Sequence, residues 1–189
     1  MGATTRVESA AATRRALLDE AGALLDSGGP EAVTLREVGA RAGVSRGAPY
    51  RHFADKESLL TAVAARGWEW LSARFHALRS EGRPPADTLR EALASVVSLS
   101  REQPYLYQLM FTAPTSDPSA VARAAQSMCD EFLAIVAAVV GDDDAARHSG
   151  ILLTGVHGAA TLEASGLLHT DKWQTTADEL IDALLALVV

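Results

Sequence analysis

Apolar residues recur every three or four positions along most of the chain, and no stretch of strand length alternates cleanly between apolar and polar. This periodicity predicts an all-α protein of about eight or nine helices. The first predicted helix spans residues 10–25, and its apolar face consists of Leu17, Ala21, Leu24 and Leu25. The segment Ser27-Gly28-Gly29-Pro30 predicts its end, because Gly favours left-handed caps and Pro cannot continue a helix.

Two short helices separated by a glycine turn are predicted next. Thr34 is a candidate N-cap with Glu37 three residues later, the spacing of a capping box. Gly43 supplies the turn, Ser45 is a second N-cap candidate, and the second helix is predicted over residues 46–52. A long helix capped by Asp55 is then predicted to link two domains, followed by helices over residues 86–101, 105–111, 118–140, 144–168 and 172–188.

Charge divides the chain into two unequal parts. Residues 1–56 carry eight Lys and Arg against seven Asp and Glu, whereas residues 57–189 carry nine against seventeen. This asymmetry predicts an N-terminal domain, residues 1–56, that can approach phosphates, and an acidic C-terminal domain, residues 57–189. The net charge of −7 excludes a protein that coats nucleic acid along its whole surface.

Residues 34–53 meet the requirements of a helix-turn-helix. Such a motif needs a first helix, a short turn containing Gly, and a second helix whose first residues face the base edges of DNA. We expect the two helices to be held together by Leu35, Val38, Val44 and Phe53. We expect the outward positions to be Arg46, Gly47, Ala48, Pro49, Arg51 and His52.

The segment around this motif resembles the DNA-binding domain of the TetR family over about residues 10–60. The resemblance includes a Tyr-x-His-Phe-x-x-Lys-x-x-Leu stretch, formed here by Tyr50, His52, Phe53, Lys56 and Leu59. It implies an N-terminal three-helix domain that binds double-stranded DNA. By similarity, the phosphate-binding residues would be Thr34, Ser45, Tyr50 and Lys56. Those nearest the bases would be Arg46, Gly47, Ala48 and Arg51.

Three residues in this segment have alternative interpretations. Tyr50 could be a half-buried core aromatic with an exposed hydroxyl. His52 could either contact DNA or pack against the turn. Pro49 departs from a continuous recognition helix and costs a backbone hydrogen bond unless it lies in the first turn.

In the C-terminal half, Val156-His157-Gly158 resembles the Trp-His-Gly hallmark of one TetR subgroup, with Val156 in place of Trp. The resemblance implies a helical domain that binds a small effector and dimerises through its last two long helices. The residues themselves indicate a two-fold interface formed by Gly150, Gly155, Gly158, Leu180, Leu184 and Leu187. The same positions could also pack within one subunit.

An apolar pocket for a hydrophobic or aromatic effector is predicted in this domain. Its candidate lining is Trp68, Leu71, Phe75, Leu109, Met110, Met128, Phe132, His157 and Thr161. The alternative is that each of these residues is simply part of the core. Asp144 and His148 share a helix face and could contribute to a metal site, although acidic residues at a helix start also complement its dipole.

The sequence contains no phosphate-binding Gly loop, no HExxH and no GxSxG motif, so it predicts no enzyme activity and no cofactor or metal. Cys129 is the sole cysteine and is expected to be a small core residue, with a redox sensor as the alternative. We expect a soluble, cytoplasmic protein without a membrane partner. The predicted function is a small-molecule-responsive repressor that binds a palindromic operator as a homodimer. The alternatives are a helical enzyme and an interaction module with a vestigial helix-turn-helix.

Overall fold

The computed structural model describes residues 6–113, 116–169, 171 and 173–188, and all regular secondary structure in these ranges is helical. The prediction of an all-α fold is confirmed. The helices are α1 (Arg6–Ala32), α2 (Leu35–Arg41), α3 (Ala48–His52), α4 (Lys56–Ser80), α5 (Pro85–Glu102), α6 (Pro104–Met110), α7 (Pro118–Val140), α8 (Asp142–Ala164) and α9 (Ala177–Leu185), with a short 3₁₀ turn at Leu167–His169.

The predicted end of the first helix coincides with a break. Gly29 adopts a φ of 67° and a ψ of −172°, and Pro30 follows it. Helical geometry then resumes for one turn, so α1 continues past the break to Ala32. Glycine suits this position because it adopts a positive φ without steric cost. It also leaves room for Tyr105, since a Cβ at position 29 would lie 3.0 Å from Cε1 of that ring.

The N-terminal core is formed by apolar side chains of α1 and α2, by Phe53 and by the first two turns of α4. Leu59, Leu60 and Val63 of α4 belong to this core. From Ala65 onward, the buried residues of α4 belong to the C-terminal core instead. A boundary at residue 56 therefore marks the start of a shared helix, and the N-terminal packing unit extends to Val63.

The C-terminal core is built from α4 to α9 and includes an aromatic contact between Phe75 and Phe132, whose ring centroids are 5.6 Å apart. Helix α8 ends four residues before its predicted end at residue 168. Gly166, at a φ of 76°, lies just beyond the end of α8 at Ala164. A capping box between Thr176 and Glu179 starts α9. The predicted start of this helix at Lys172 lies outside the described residues.

Helix α6 lies between the two cores. Tyr105 packs against Gly29 of α1, and Leu106 contacts both apolar clusters. Tyr107 and Met110, on the opposite side, are buried in the C-terminal core. Any displacement of α6 would therefore change its packing against both cores.

Within the described residues, no single helix is long and apolar enough to cross a membrane. Helices α7 and α8 meet the length and composition criteria only as a pair, and they are bent by 119° relative to each other.

Candidate nucleic-acid interface and effector domain

Thr34 is the N-cap of α2, as predicted. Its Oγ1 accepts a hydrogen bond from the backbone N of Glu37 at 3.1 Å. The Glu37 carboxylate forms an ion pair with Nε of Arg41 at 3.2 Å, one turn further along. Because the Thr34 residue is exposed, its hydroxyl hydrogen remains available to an acceptor such as a phosphate oxygen.

The turn between α2 and α3 depends on Gly43, which has a φ of 65°. The backbone N of Gly43 donates to the carbonyl of Ala40, and that of Val44 donates to the carbonyl of Gly39. These bonds satisfy carbonyls at the end of α2 and reverse the chain within a few residues.

Helix α3 starts at Ala48, two residues later than predicted. Gly47 is its N-cap and provides no side-chain hydrogen bond, whereas the Ser45 carbonyl accepts from the backbone N of Ala48 at 2.8 Å. The prediction of Ser45 as a side-chain N-cap was therefore wrong. Pro49 lies in the first turn of α3, where its missing N–H interrupts no helical hydrogen bond.

Two residues expected to face outward are buried. Ala48 is only 4% exposed, and Pro49 packs onto α2 at Gly39. A Cβ at position 39 would lie 2.6 Å from Cγ of Pro49. The prediction that Ala48 lies at the DNA surface is thus corrected, because this face of α3 is used to hold the two helices together. Sequence reasoning missed Gly39, although an isolated Gly within a helix is a known sign of close packing.

The turn before α3 and the outward face of α3 form one exposed surface. Arg46, Gly47 and Arg51 are exposed, and Tyr50 has 58% of its surface accessible, so the interpretation of Tyr50 as a core aromatic is wrong. Open clefts of about 480 and 660 Å³ flank the helix, one lined by Arg46 and Tyr50 and the other by Ser45, Arg51 and His52.

His52 and Phe53 end the motif. His52 is half-buried, with its ring centroid 6.5 Å from that of Phe53. Phe53 is buried, and the Arg14 guanidinium lies 5.2 Å from its ring centroid. This cation–π contact attaches α1 to the end of α3.

Lys56 is the first residue of α4. Asp55 caps this helix through a reciprocal capping box with Ser58. The Lys56 ammonium is 3.9 Å from a carboxylate oxygen of Glu31, and both side chains are substantially exposed. Such a long, solvated ion pair is weak, so the lysine can exchange Glu31 for another anion.

Most of the predicted effector-pocket residues are packed core side chains. Six of them are buried in one apolar cluster: Trp68, Leu71, Phe75, Met110, Met128 and Phe132. The Trp68 indole N–H donates to the Met110 carbonyl at 3.2 Å, which satisfies its polar group. The described structure therefore agrees with the core interpretation for these six positions.

The other three predicted pocket residues are distributed differently. Leu109 packs against the N-terminal core and lines a separate cleft of about 130 Å³. Thr161 is exposed and does not belong to the apolar cluster that contains the six buried residues. His157 is half-buried, with its Nδ1 2.8 Å from the Tyr107 hydroxyl. Burial lowers the pKa of His157 and raises that of Tyr107.

His157 belongs to an aromatic cluster that sequence reasoning missed. Phe111 lies between its neighbours, with ring-centroid distances of 4.0 Å to His157 and 5.0 Å to both Tyr107 and Trp68. Phe111 is nevertheless 41% exposed. The i, i+4 spacing of Tyr107 and Phe111 could have indicated that the two rings lie on one side of a helix and contact each other.

Three of the predicted dimer residues pack within the subunit. A Cβ at Gly155 would lie 2.6 Å from Cδ2 of Leu184, so this glycine accommodates a leucine of α9 in the same chain. Leu180 also packs against the C-terminal core. Gly150 and Gly158 face open space, and Leu187 is 65% exposed. Positions 155, 180 and 184 thus agree with the alternative of packing within one subunit, and the two-fold interface stays a prediction.

Among the described residues, no group of three potential ligands from His, Cys, Asp and Glu lies close enough to hold a metal ion. Asp144 instead pairs with Arg147 at 2.9 Å, and His148 Nδ1 is 3.0 Å from the Asp144 carbonyl oxygen. Cys129 is half-buried, and desolvation, reinforced by neighbouring Asp130, raises the pKa of its thiol. A raised thiol pKa disfavours the reactive thiolate.

Two segments of the chain match known protein families. Residues 17–63 match the family described as bacterial regulatory proteins, tetR family, and residues 89–188 match the tetracyclin repressor-like C-terminal domain. The HTH-type transcriptional repressor KstR of Rhodococcus jostii is 34% identical over 114 residues, which are 60% of this chain and 53% of that protein. KstR of Mycolicibacterium smegmatis is 31% identical over 100 residues, 53% of this chain and 49% of that protein. The matches thus span about half the length of these relatives.

Solved structures share the architecture. A protein of unknown function from Rhodococcus sp. RHA1 is 29% identical, with a TM-score of 0.77 over 93% of each chain. FadR of Bacillus subtilis in complex with stearoyl-CoA is 14% identical, with a TM-score of 0.69 over 93% of this chain and 97% of that one, and shows the fold alone. Because the two family matches together cover most of the sequence, the chain belongs to the tetR family of bacterial regulatory proteins.

Proposed function

We propose that this protein is a small-molecule-responsive transcriptional repressor that binds a palindromic operator as a homodimer. The observation that carries the proposal is one exposed surface formed by Arg46 in the turn before α3 and by Tyr50 and Arg51 on α3, while Ala48 and Pro49 anchor the helix. Arginine side chains presented by an anchored short helix suit contacts with base edges in the major groove.

Phosphate contacts would orient this helix on the duplex. The Thr34 hydroxyl at the start of α2, the Ser45 hydroxyl and the Lys56 ammonium at the start of α4 are the proposed groups. A helix N-terminus presents a partial positive charge, so two of these positions are favourable for an anion. These contacts would fix register and orientation but carry no sequence information.

A homodimer would place two such helices on successive half-sites. The proposed interface uses the exposed face of α8, which contains Gly150, Ile151 and Gly158, together with Leu187 just beyond α9. Ile151 is 46% exposed and Leu187 is 65% exposed, and the two open glycines allow another helix to approach closely. A two-fold contact between like surfaces is the commonest form of oligomer.

The proposed effector is a small hydrophobic or aromatic molecule bound in the C-terminal domain. Solved relatives of the same fold contain resorcinol, in RolR, and stearoyl-CoA, in FadR of Bacillus subtilis. The aromatic cluster around Phe111 supports this class of effector. An apolar ligand could displace the exposed Phe111 ring and pack against Trp68, Tyr107 and His157 in its place.

Helix α6 would transmit the effect of the ligand. Tyr107 and Phe111 belong to the aromatic cluster, whereas Tyr105 contacts α1 at Gly29. A ligand that displaces Phe111 would therefore change the contact between α6 and the N-terminal domain. The ligand would thereby favour a state in which the two α3 helices of the dimer are spaced too differently to fit the operator.

Fluorescence anisotropy with labelled DNA from upstream of the gene tests the proposal. We expect binding that is stronger for one fragment than for random DNA and that weakens steeply with salt. Equal, salt-insensitive binding to both DNAs, or no binding to either, would contradict a repressor function.

A further inference from the structure

A cleft of about 380 Å³ separates α1 from the middle of α4, and the junction of α5 and α6 forms its base. It lies on a different side of the N-terminal domain from the two clefts beside α3, and it contains none of the aromatic cluster around Phe111. Its apolar walls are formed by Leu18, Val63, Leu99 and Leu106.

Two carboxylates line this cleft, and only one of them forms an ion pair in the part of the chain that the structure describes. Asp19 forms an ion pair with Arg66, whose Nη1 is 2.7 Å from Oδ1 of the carboxylate. Asp26, two turns further along α1, also lines the cleft. Among the described residues, Asp26 has no ion pair and no side-chain hydrogen bond. Asp26 is an exposed residue, and partial desolvation of its carboxylate raises its pKa.

An aromatic side chain lies on the same cleft. Trp70 is one of its lining residues and is 49% exposed, unlike Trp68, which is buried in the core. An indole face attracts a cation more strongly than any other aromatic side chain does. The cleft thus combines apolar walls, an unpaired carboxylate and an accessible indole.

We propose that this cleft binds a small organic ammonium ion with an apolar or aromatic body. The ammonium group pairs with Asp26, and the body packs between the apolar walls and Trp70. A bare metal ion would leave the apolar walls unused, and an anion would be repelled by Asp26. Because the cleft joins α1 to α4 and α6, its occupation would also bias the position of the N-terminal domain, a consequence that rests on the proposed DNA-binding function.

Three compounds with the same phenethyl-type body and different charge test the proposal. Isothermal titration calorimetry of the full chain with phenethylammonium, phenethyl alcohol and hydrocinnamate needs no DNA, so its outcome is independent of the repressor function. We expect the ammonium to bind about tenfold more tightly than the alcohol, which is about 1.4 kcal/mol, and hydrocinnamate to bind most weakly. Equal affinities for the three compounds, or no binding of the ammonium, would overturn the proposal.

Asp26→Asn tests the charge. This variant should bind the ammonium and the alcohol with the same affinity, because the amide keeps the shape of the side chain without its charge. Glu20→Gln is the matched control on α1, since Glu20 does not line the cleft. If Asp26→Asn still bound the ammonium more tightly than the alcohol, the ammonium group would not pair with Asp26.

Gly22→Leu tests the location. Gly22 lines the cleft, and a Cβ there would meet nothing within 4 Å, so a side chain can start at this position and extend into the cleft. This variant should fold, as judged by circular dichroism, and should lose at least about tenfold in affinity for both the ammonium and the alcohol. Ala12→Leu, at an exposed position of α1 outside the cleft, should bind both as the wild type does. Unchanged affinity in Gly22→Leu would refute the assignment to this cleft.

Discussion

Gly39 of α2 and Pro49 of α3 fit together so closely that a Cβ on residue 39 would lie 2.6 Å from the proline Cγ. A contact at this distance requires the proline ring or the backbone of one helix to shift. Both residues are buried, and they set the separation of the two helices of the helix-turn-helix. The position of the exposed Arg46 and Arg51 therefore depends on a contact on the other side of α3.

The first prediction follows from this contact. Gly39→Ala should push α3 away from α2 and destabilise the fold by about 1–3 kcal/mol, as is typical of overpacking. Urea unfolding measures the stability, and anisotropy measures the accompanying loss of operator affinity. Pro49→Ala in the same chain should restore part of both losses, because it removes the ring that the new methyl group meets.

Gly22→Ala is the matched control for this experiment, since its Cβ would meet nothing within 4 Å. It should stabilise α1 by about 0.5–1 kcal/mol through helix propensity. If Gly39→Ala were as stable as the wild type, the close contact would be relieved elsewhere and the two helices would not be fixed by it.

The second prediction separates base contacts from phosphate contacts. Arg46→Ala and Arg51→Ala should each reduce the preference for operator over random DNA by about 1–3 kcal/mol per lost base contact. Lys56→Ala should weaken binding to both DNAs alike and reduce the log–log salt slope by about one unit. Anisotropy titrations at several salt concentrations provide both quantities. An equal loss on operator and random DNA in both arginine variants would reassign the arginines to the backbone.

The helices and the glycine turn could be predicted from sequence because periodicity, caps and breakers are local properties. Thr34 and Gly43 hold the roles that their residue types indicate. The burial of Ala48 could not be predicted in this way, because it depends on which face of a five-residue helix meets Gly39. A helix of this length has too few residues to show a period.

The predicted dimer surface also depended on contacts that sequence spacing cannot determine. Gly155 and Leu184 both follow a helical spacing, and spacing alone does not say whether they meet within a chain or between chains. In the structure they meet within the chain, because α9 lies across α8. Similarly, Trp68, Phe75 and Phe132 were grouped correctly in one region, but whether large apolar side chains enclose a cavity or fill it depends on their packing.

The third prediction concerns pH and the attachment of α9. The Glu163 carboxylate accepts two hydrogen bonds from Arg101, at 2.6 and 2.9 Å, and one from the backbone N of Ala177, the first residue of α9, at 3.0 Å. Hydrogen bonding to Arg101 holds the pKa of Glu163 below its usual value of 4.5. A carboxyl whose pKa is lower in the folded state stabilises the fold above its unfolded pKa, and this contribution disappears as the pH falls.

Glu163→Gln should therefore reduce stability at neutral pH by about 1–2 kcal/mol and make the loss of stability below about pH 4.5 less steep. Thermal unfolding across a pH series measures both effects. Glu102→Gln, an exposed carboxylate on α5, is the control and should leave the acid limb unchanged. A parallel pH dependence in Glu163→Gln and the wild type would show that this ion pair does not contribute to acid sensitivity.

The fourth prediction concerns the proposed dimer. Ile151 is exposed on α8, so a glutamate there should be tolerated by the isolated subunit but would be buried without a partner in a two-fold interface. Ile151→Glu should therefore give a folded monomer. Analytical ultracentrifugation measures the assembly state, circular dichroism confirms the helical content, and operator affinity should collapse because only one half-site is bound.

Two leucines, Leu133 and Leu184, provide the controls. Leu133→Glu places the same charge on an exposed position of α7 and should leave the dimer intact. Leu184→Glu should instead unfold the C-terminal domain, because Leu184 packs against Gly155 and the core of its own subunit. If Ile151→Glu remained a dimer with normal operator affinity, the interface would lie on another surface. If it lost helical content as Leu184→Glu does, Ile151 would be part of the subunit's own packing.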